Sequence, residues 1–390
     1  MTEEQRRRSH VMRMVLEERM SIKDAAEALE LSTRQIKRLK AGMKEQGDAC
    51  LIHRNTNRKP AHALTEEEKA RVVELARGKY AGANFAHLSE LLAEHDGMSI
   101  SRTSVSRICR EAGMSSTRKH RVNPHPRRAR KAQAGMLVQM DASPHQWFGE
   151  EETSLHGAID DATGTILALH FAKSECLDAY FETMLTMVKK YGCPRMIYAD
   201  RHTIFQGVTR KDTTVAEDFE GAPVPKSQFQ RAIAELGITL IAALSPEAKG
   251  RIERLWETLQ SRLPIELRLA GITEIEPANA FLPQFLVKLN RKFAVAAAQP
   301  QPAFLKLAPE KNASYILCKH DQRLVDRGGC FSYQSQLYQL YERGKCVAVV
   351  PRTTVTVLTS PRFGVKAIYC GKVYNVRPLP KEEKMGQRTQ

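Results

Sequence analysis

The stretch from residue 194 to residue 207 reads Pro-Arg-Met-Ile-Tyr-Ala-Asp-Arg-His-Thr-Ile-Phe-Gln-Gly. Its apolar run, Met196 to Ala199, is entered through Pro194 and ends at a charge, which predicts a short buried strand. Asp200 follows that strand directly. Open α/β sheets place their chemistry at the carboxyl ends of buried strands, although an aspartate there can also simply cap a turn. Asp200 is therefore a candidate catalytic residue whose role depends on the rest of the chain.

The length and composition indicate a soluble, multidomain protein. At 390 residues the chain exceeds one typical domain, and two to four domains are expected. It has no run of about 18 apolar residues that could span a membrane, and its N-terminus lacks the apolar segment of a signal peptide. The eight cysteines are scattered without a Cys-x-x-Cys pair, which argues against a zinc site or a disulfide framework and favours a reducing cytoplasm.

The net charge of +16 is unevenly distributed along the chain. Residues 1–135 carry 28 Lys/Arg against 17 Asp/Glu, residues 136–282 carry 14 against 21, and residues 283–390 carry 18 against 6. Basic flanks around an acidic middle suggest a polyanion held by the ends and processed at the centre. A merely solvated basic surface is the alternative.

Residues 1–60 are predicted to form a helix-turn-helix domain. The segment Asp24–Leu31 predicts a short helix, and Ser32 is placed to cap a longer helix over Thr33–Lys44. This spacing is typical of DNA-binding helix-turn-helix units, although a plain helical hairpin gives the same pattern. The longer helix presents side chains suited to phosphates and base edges. They are Arg34, Gln35, Lys37 and Arg38.

Residues 61–114 are predicted to form a second helical DNA-binding domain. Thr65 and Glu68 have the spacing of a capping box at the start of its first helix. Two further helices are expected at Phe85–Glu94 and Ser101–Ala112, and the last resembles a second recognition helix. Its basic residues are Arg102, Arg107 and Arg110.

Residues 115–135 are predicted to be a basic linker. The segment contains no acidic residue, and Pro124 and Pro126 disfavour regular structure. An extended segment lying along a DNA backbone is the functional interpretation; a disordered hinge is the alternative, and both can hold. The linker residues predicted to contact DNA are Arg118, Lys119, Arg121, Arg127, Arg128 and Arg130.

Residues 136–275 are predicted to form a catalytic core. Three strands joined by short loops come first, and the first of them runs from Met136 and ends at Asp141. A helix, the strand before Asp200, a second helix, a further strand and a long helix opened by Ser245-Pro246 follow. This order is the arrangement of the ribonuclease H-like nucleic-acid processing fold.

The remaining residues complete a multidomain α/β protein. Residues 276–314 are expected to be a helical connector, and residues 381–390 a disordered tail. Between them, residues 315–380 alternate short apolar runs with turns, which predicts a small β-barrel. The aromatic residues of this barrel could contact DNA or fill its core.

Four motifs together carry a family resemblance. They are Gln139–Trp147 (Gln-Met-Asp-Ala-Ser-Pro-His-Gln-Trp), Ile159–Gly164 (Ile-Asp-Asp-Ala-Thr-Gly), Tyr198–Phe205 and Ser245–Arg254. In combination they resemble insertion-sequence transposases, and specifically the branch whose core is similar to retroviral integrases. The resemblance covers roughly residues 10 to 375.

The resemblance implies an Asp-Asp-Glu triad formed by Asp141, Asp200 and Glu253. It implies two Mg²⁺ ions held by these carboxylates, with Mn²⁺ able to substitute, because hard cations prefer oxygen ligands and two ions can activate the nucleophile and stabilise the leaving oxygen. Asp200 and Glu253 are separated by 52 residues, more than in the retroviral pattern. A polar insert over residues 207–226 accounts for the excess.

The choice of glutamate follows from the predicted helix. Glu247 would lie in its first turn, where the helix dipole favours any carboxylate, whereas no such explanation covers Glu253. Gly250 lies one turn before Glu253 and would allow a close approach to the strands or to DNA. Glu257 shares the face of Glu253 one turn further on.

Other polar residues have open roles. Lys249 and Arg251 are predicted to bind DNA. His145, Trp147, Arg201 and His202 could contact substrate, and a structural role is the alternative for each. Asp160 and Asp161 are expected to form a turn rather than bind metal.

The predicted function is that of a DNA transposase. It would bind double-stranded element ends, cut their 3′ ends and join them to target DNA, acting as a homodimer or higher oligomer at the bacterial nucleoid. A DNA-binding regulator with an inactive core is the first alternative, and a stand-alone nuclease is the second.

Overall fold

The structure of the protein is a computed structural model that describes residues 3–52, 63–115, 128–200, 203–206, 226–242 and 250–380. The chain divides into two compact units, residues 1–71 and residues 72–390. No helix within the described ranges is long and apolar enough to cross a membrane. The predicted features outside the described residues are Arg118, Lys119, Arg121, Arg127, Arg201, His202, the insert at 207–225, the Ser245 cap, Glu247, Lys249 and the tail at 381–390.

The described part of the first unit begins with three helices, α1 (Glu3–Leu16), α2 (Ile22–Ala28) and α3 (Thr33–Gln46), followed by a 3₁₀ turn over Gly47–Leu51. Ser32 caps α3 in a capping box that also uses the side chain of Gln35. The apolar faces of the helices meet in a small core. Both predicted helices of this segment are present, but the shorter one spans Ile22–Ala28 rather than Asp24–Leu31, so four residues instead of one separate it from α3.

A second helical set comprises α4 (Glu66–Arg77), α5 (Phe85–His95) and α6 (Arg102–Glu111). Thr65 and Glu68 form the predicted capping box, with backbone-to-side-chain hydrogen bonds of 2.8 and 3.1 Å. Short polar residues stop these helices from extending backwards and satisfy their first N–H groups.

The core is a five-stranded mixed sheet. Its strands are β1 (Leu137–His145), β2 (Thr153–Asp160), β3 (Ile166–Ala172), β4 (Met196–Ala199) and β5 (Thr239–Ala242). The spatial order is β3-β2-β1-β4-β5. β1, β2 and β3 pair antiparallel, whereas β4 is parallel to both β1 and β5.

The prediction that the first strand ends at Asp141 was wrong. β1 continues to His145, because its antiparallel pairing with β2 extends from Val138 opposite Asp160 to His145 opposite Thr153. Asp141 therefore lies in the middle of a long strand. Only the first three residues of β1 pair with β4, so Asp141 is beyond the last paired residue on that side.

Helices cover both faces of the sheet. On one face, α7 (Leu177–Tyr191), the short α8 (Thr203–Gln206) and α9 (Gln228–Glu235) enclose an apolar cluster. On the other, α10 (Gly250–Leu269) and α11 (Ile275–Phe293) enclose a second cluster.

Charged groups attach α5 to the helices of the second face. Arg262 on α10 donates to both carboxylate oxygens of Glu90 at 2.8 and 3.0 Å, and His87 Nε2 lies 3.0 Å from Glu266 Oε1. Burial alone would raise the pKa of Glu266, but hydrogen bonds with His87 and Lys288 outweigh it and lower that pKa to about 2. Helix α5 and the core thus belong to one compact unit, whose first residue, Val72, lies inside α4.

The C-terminal part begins with α12 (Ala313–Ile316) and continues as a curled, near-barrel sheet. Its two end strands approach each other where Tyr333 Oη donates to Asp321 Oδ2 at 3.1 Å. Phe331 and Tyr333 are buried in its core, so these two aromatics fill the interior. The strands are β6 (Lys319–Leu324), β7 (Cys330–Tyr333), β8 (Gln336–Glu342), β9 (Lys345–Cys346), β10 (Thr354–Ser360), β11 (Gly364–Tyr369) and β12 (Lys372–Leu379).

Candidate active site

Asp141 lies on the face of β1 that is covered by α10. Side chains alternate along a strand, so Asp141 shares this face with Gln139 and Ser143. The helix follows the strand: Ile252 N donates to Gln139 Oε1 at 3.1 Å, Trp256 Nε1 to Asp141 Oδ2 at 3.1 Å, and Gln260 Nε2 to Ser143 Oγ at 3.0 Å. The hydrogen bond from the Trp256 indole therefore fixes the position of the Asp141 carboxylate along α10.

Asp200 lies at the same level of the sheet as Asp141. Gln139 pairs with Tyr198 in the parallel β1–β4 register, and each aspartate comes two residues after its member of that pair. A second observation supports this proximity. Burial raises the pKa of the Tyr180 phenol, and the carboxylates of Glu175, Asp141 and Asp200 raise it further. Both aspartates therefore lie close enough to act on one buried hydroxyl group.

Glu253 is exposed on the first described turn of α10. It precedes Trp256 by three residues, which places it about 60° around the helix and about 4.5 Å back along the axis. Glu257 is also exposed and is displaced from Trp256 to the same side, by about 100°. Along the helix, Glu253 therefore lies before Trp256 and Glu257 lies after it, and both are rotated to the same side of that residue.

The described residues contain no group of three or more His, Cys, Asp or Glu side chains placed to hold a metal ion. The structure aligns Asp141 with Asp200 and places Glu253 on the neighbouring helix, but it does not gather the three carboxylates around one point. The donor chemistry of the two aspartates, hard anionic oxygen, is that preferred by Mg²⁺.

A buried cluster beside the aspartates escaped the sequence reasoning. Tyr180 Oη donates to Glu175 Oε1 at 2.7 Å, and the Tyr180 ring packs edge-on against His156, with centroids 4.7 Å apart. Burial lowers the pKa of His156 to about 4, and its Nδ1 is buried with no hydrogen-bond partner among the described residues. The alternating apolar pattern of β2 gave no signal that His156 would meet Tyr180.

The close approach of α10 to the sheet occurs at Gly157, not at Gly250. A Cβ on Gly157 would lie 2.7 Å from Trp256 Cη2 and 3.0 Å from Leu169 Cδ2, whereas a Cβ on Gly250 would meet only the end of Arg254, at 3.7 Å. The expected role of Gly250 in approaching the strands was therefore wrong. The Trp256 indole occupies the space that a side chain at Gly157 would fill. The close contact is therefore with β2 and not at the start of the helix.

The basic residues assigned to the two recognition helices lie on exposed surfaces. On α3, Gln35 differs from its neighbours because its side chain also accepts hydrogen bonds from Ser32 in the capping box. On α6, Arg107 lies 4.0 Å from Glu111. The exposed set comprises Arg34, Gln35, Lys37, Arg38, Arg102, Arg107 and Arg110.

Three other arginines predicted to bind DNA have partners within the chain. Arg128 and Arg251 both form ion pairs with the buried carboxylate of Asp161, and Arg130 donates to the backbone carbonyl of Ala162 at 3.0 Å. DNA contacts by these three residues stay predictions, but each already has a structural role.

Two of the residues with open roles lie at the end of β1 and beyond it. Trp147 is buried and donates to the Ser143 carbonyl at 3.2 Å, and His145 packs edge-on against it with centroids 5.0 Å apart. Trp147 therefore has the structural role.

The sequence is similar over most of its length to two bacterial proteins. No protein-family model matches it. It is 36% identical over 360 residues to the Sinorhizobium fredii protein named "Putative transposase y4bF", covering 91% of this chain and 77% of that protein. It is 34% identical over 410 residues to the transposase for insertion sequence IS1202 of Streptococcus pneumoniae, covering 95% of this chain and 85% of that protein.

Solved structures show weaker similarity. A simian T-cell lymphotropic virus intasome in complex with PP2A regulatory subunit B56 gamma aligns with 79% of this chain and 96% of its own, at a TM-score of 0.33 and 14% identity. The HTLV-2 integrase catalytic core domain in complex with magnesium aligns with 42% of this chain and 92% of its own, at a TM-score of 0.31 and 16% identity. These similarities are too low to locate individual residues.

The two sequence relatives define the class of the protein, which is that of transposases, enzymes that cut and join DNA. Identity of about 35% over nearly the whole chain shows the family directly. The chain belongs to the insertion-sequence transposases.

Proposed function

We propose that this transposase binds the ends of its element, cuts each 3′ end by hydrolysis and joins that end to target DNA in a reaction that depends on Mg²⁺. The observation that carries the proposal is the alignment of Asp141 with Asp200 on parallel strands beside the helix that bears Glu253. Acidic side chains of separate elements, brought to one end of a sheet, suit metal-dependent phosphoryl chemistry.

The three carboxylates have distinct proposed roles. Asp141 and Asp200 would hold the metal, with the carboxylate of Asp141 oriented by Trp256, whose indole N–H donates to Oδ2. Glu253 would complete the site from α10. Two bound Mg²⁺ ions, or Mn²⁺ in their place, would supply an activated nucleophile and charge stabilisation at the leaving oxygen.

The order of the sheet supports a ribonuclease H-like core. Three antiparallel strands, β1 to β3, are followed by two strands parallel to β1, with helices on both faces. In this arrangement the parallel pairing of β1 with β4 ends at Gln139 and Tyr198, and each aspartate follows two residues beyond that pair. This core would carry out catalysis, and the helical modules before it would recognise the DNA ends.

Element ends are proposed to bind through the exposed cations of α3 and α6, with the basic linker following the phosphate backbone. Phosphate contacts would position the DNA, and base contacts from α3 would select the end sequence. Pairing two element ends requires at least two copies of the chain, so a homodimer or a higher oligomer is the proposed active form. The nucleoid is its proposed location.

Substitution of the carboxylates tests the proposal. Asp141→Asn, Asp200→Asn and Glu253→Gln should each abolish Mg²⁺-dependent cleavage of an element-end duplex, with end binding nearly unchanged, because each removes a ligand charge and preserves the side-chain shape. Glu257→Gln is the matched control on α10 and should stay active. Substantial cleavage by either Asn variant would exclude the metal assignment, and an inactive, folded Glu257→Gln beside an active Glu253→Gln would move the third ligand to Glu257.

The same assay separates the proposal from a DNA-binding regulator with an inactive core. A regulator would bind element ends without joining a labelled end to target DNA in Mg²⁺. No contact of the described residues favours that alternative, and all three acids are present.

A further inference from the structure

Asp161 occupies a position that the turn role expected for it does not explain. Its side chain is fully buried, directly after β2. Oδ2 accepts from Lys131 N at 2.9 Å, and Oδ1 accepts from Gln139 Nε2 at 3.1 Å, from Arg251 Nε at 2.7 Å and from the Arg128 guanidinium. One carboxylate thus connects the end of the basic linker, strand β1 and helix α10.

The neighbouring Asp160 has the hydrogen bonds expected of a residue that forms a turn. It is also buried, but its carboxylate accepts from Gly135 N, Thr163 N and Thr163 Oγ1, each at 2.8 Å. None of these donors belongs to α10. The two aspartates are therefore equally buried and differ in the groups that donate to them: only Asp161 accepts a hydrogen bond from α10.

The contacts of Asp161 converge on the residues just before Glu253. Arg251 is bound directly, and its side chain is only 12% exposed. Ile252 is bound through Gln139, whose amide nitrogen donates to Asp161 and whose oxygen accepts from Ile252 N. Gln139 also precedes Asp141 by two residues on β1. A single network thus fixes the start of the described α10 against the strand that carries Asp141.

We propose that Asp161 is a positioning residue for the reaction: it sets the register of α10 against β1 and thereby the place of Glu253 relative to Asp141. The role depends on charge, because one carboxylate oxygen receives two guanidinium groups and an amide, which a neutral side chain cannot compensate equally. This inference rests on the proposed function of Glu253.

Asp161→Asn and its matched control Asp160→Asn test the inference. The first readout is the Mg²⁺ concentration at half-maximal cleavage of an element-end duplex; the second is amide hydrogen exchange of the peptide 250–257, measured without DNA or metal. Asp161→Asn should raise the Mg²⁺ midpoint about 10- to 100-fold, the usual loss when a residue that supports metal ligands is changed. It should also speed exchange in 250–257 by about tenfold or more, the sign of a locally loosened segment.

Asp160→Asn should change both readouts by less than about threefold, even where it lowers overall stability, because it does not touch α10. Asp161→Asn behaving as wild type in both readouts, or Asp160→Asn reproducing its effects, would overturn the inference. Should Asp161→Asn fail to fold, Arg251→Lys tests the same connection, since it keeps the cation and loses the Nε contact. An unchanged Mg²⁺ midpoint and unchanged exchange in that variant would also overturn it.

The two readouts separate this inference from the proposed function. If the Glu253→Gln variant still cleaved DNA, Glu253 would be excluded as the third ligand. The hydrogen-exchange result for Asp161→Asn could still be interpreted, because it is measured without DNA or metal. Faster exchange at 250–257 without any shift in the Mg²⁺ midpoint would show that Asp161 holds α10 but does not position a metal ligand, and would reject the catalytic part of the inference.

Discussion

Trp256 Nε1 on α10 donates a hydrogen bond of 3.1 Å to Asp141 Oδ2 on β1, so the long helix directly orients a carboxylate of the candidate active site. The ring reaches this position only because Gly157 on β2 has no side chain. A hydrogen bond to one oxygen restricts rotation of the carboxylate and so fixes its orientation as a ligand.

Trp256→Phe should therefore impair catalysis more than folding. Phenylalanine keeps one aromatic ring but lacks the indole N–H, and we expect cleavage to fall about 10- to 100-fold, as for other residues that support a metal ligand. Trp147→Phe is the control, because Trp147 also donates one hydrogen bond, but to the Ser143 carbonyl. It should cost about 1–3 kcal/mol of stability, from the lost hydrogen bond and the smaller buried ring, with little change in rate. Equal rates for the two variants would contradict the role given to Trp256.

Gly157→Ala should reproduce the defect of Trp256→Phe by a different route. The new Cβ would lie 2.7 Å from the indole and would displace it from Asp141, at a cost of about 1–3 kcal/mol for overpacking. Gly250→Ala, with only the end of Arg254 nearby, should be neutral or stabilising by up to about 1 kcal/mol, because alanine favours a helix. Thermal unfolding and cleavage rates measured for both variants check this pair.

The two basic regions should contribute differently to DNA affinity. Replacing the linker cations that lie outside the described residues with Gln should weaken binding to all duplexes. The slope of log K against log salt concentration should become shallower by about 0.9 per lost phosphate contact. Replacing the α3 cations should instead reduce the preference for element ends. A linker change that altered sequence preference, beside an α3 change that did not, would reverse the roles. The linker set is Arg118, Lys119, Arg121 and Arg127, and the α3 set is Arg34, Lys37 and Arg38.

His156 should make the core sensitive to mild acid. Burial lowers its pKa to about 4 from an ordinary value of 6.5. Above pH 6.5 neither state is protonated; between pH 6.5 and 4 the unfolded chain binds a proton that the folded chain does not, so stability falls as the pH falls and then levels off. At pH 5 the loss should be about 2 kcal/mol.

His156→Phe should remove that loss, so its stability relative to wild type should rise between pH 7.5 and pH 5. Denaturant unfolding followed by tryptophan fluorescence measures it, because both tryptophans of the chain, Trp147 and Trp256, lie in the core. An identical pH dependence in His156→Phe and wild type would contradict the assignment.

Much of the local structure could be predicted from the sequence. The strand Met196–Ala199, the caps at Ser32 and Thr65 and the order of core elements all follow from periodicity and capping signals. These signals act over a few residues, which is why they can be read without the fold. The strand that contains Asp141 was predicted too short, because its last four residues are fixed by pairing with β2 rather than by their own apolar pattern.

The sequence by itself determined the candidate residues for the chemistry, since it places acids after a buried strand, at the end of another predicted strand and on a long predicted helix. Only the tertiary structure decided how those residues are held. Trp256 and Asp141 are 115 positions apart, Arg251 and Asp161 are 90 apart, and His87 and Glu266 are 179 apart. Contacts at such separations depend on the order of strands in the sheet and on which helix faces which strand, and no pattern within one segment contains that information.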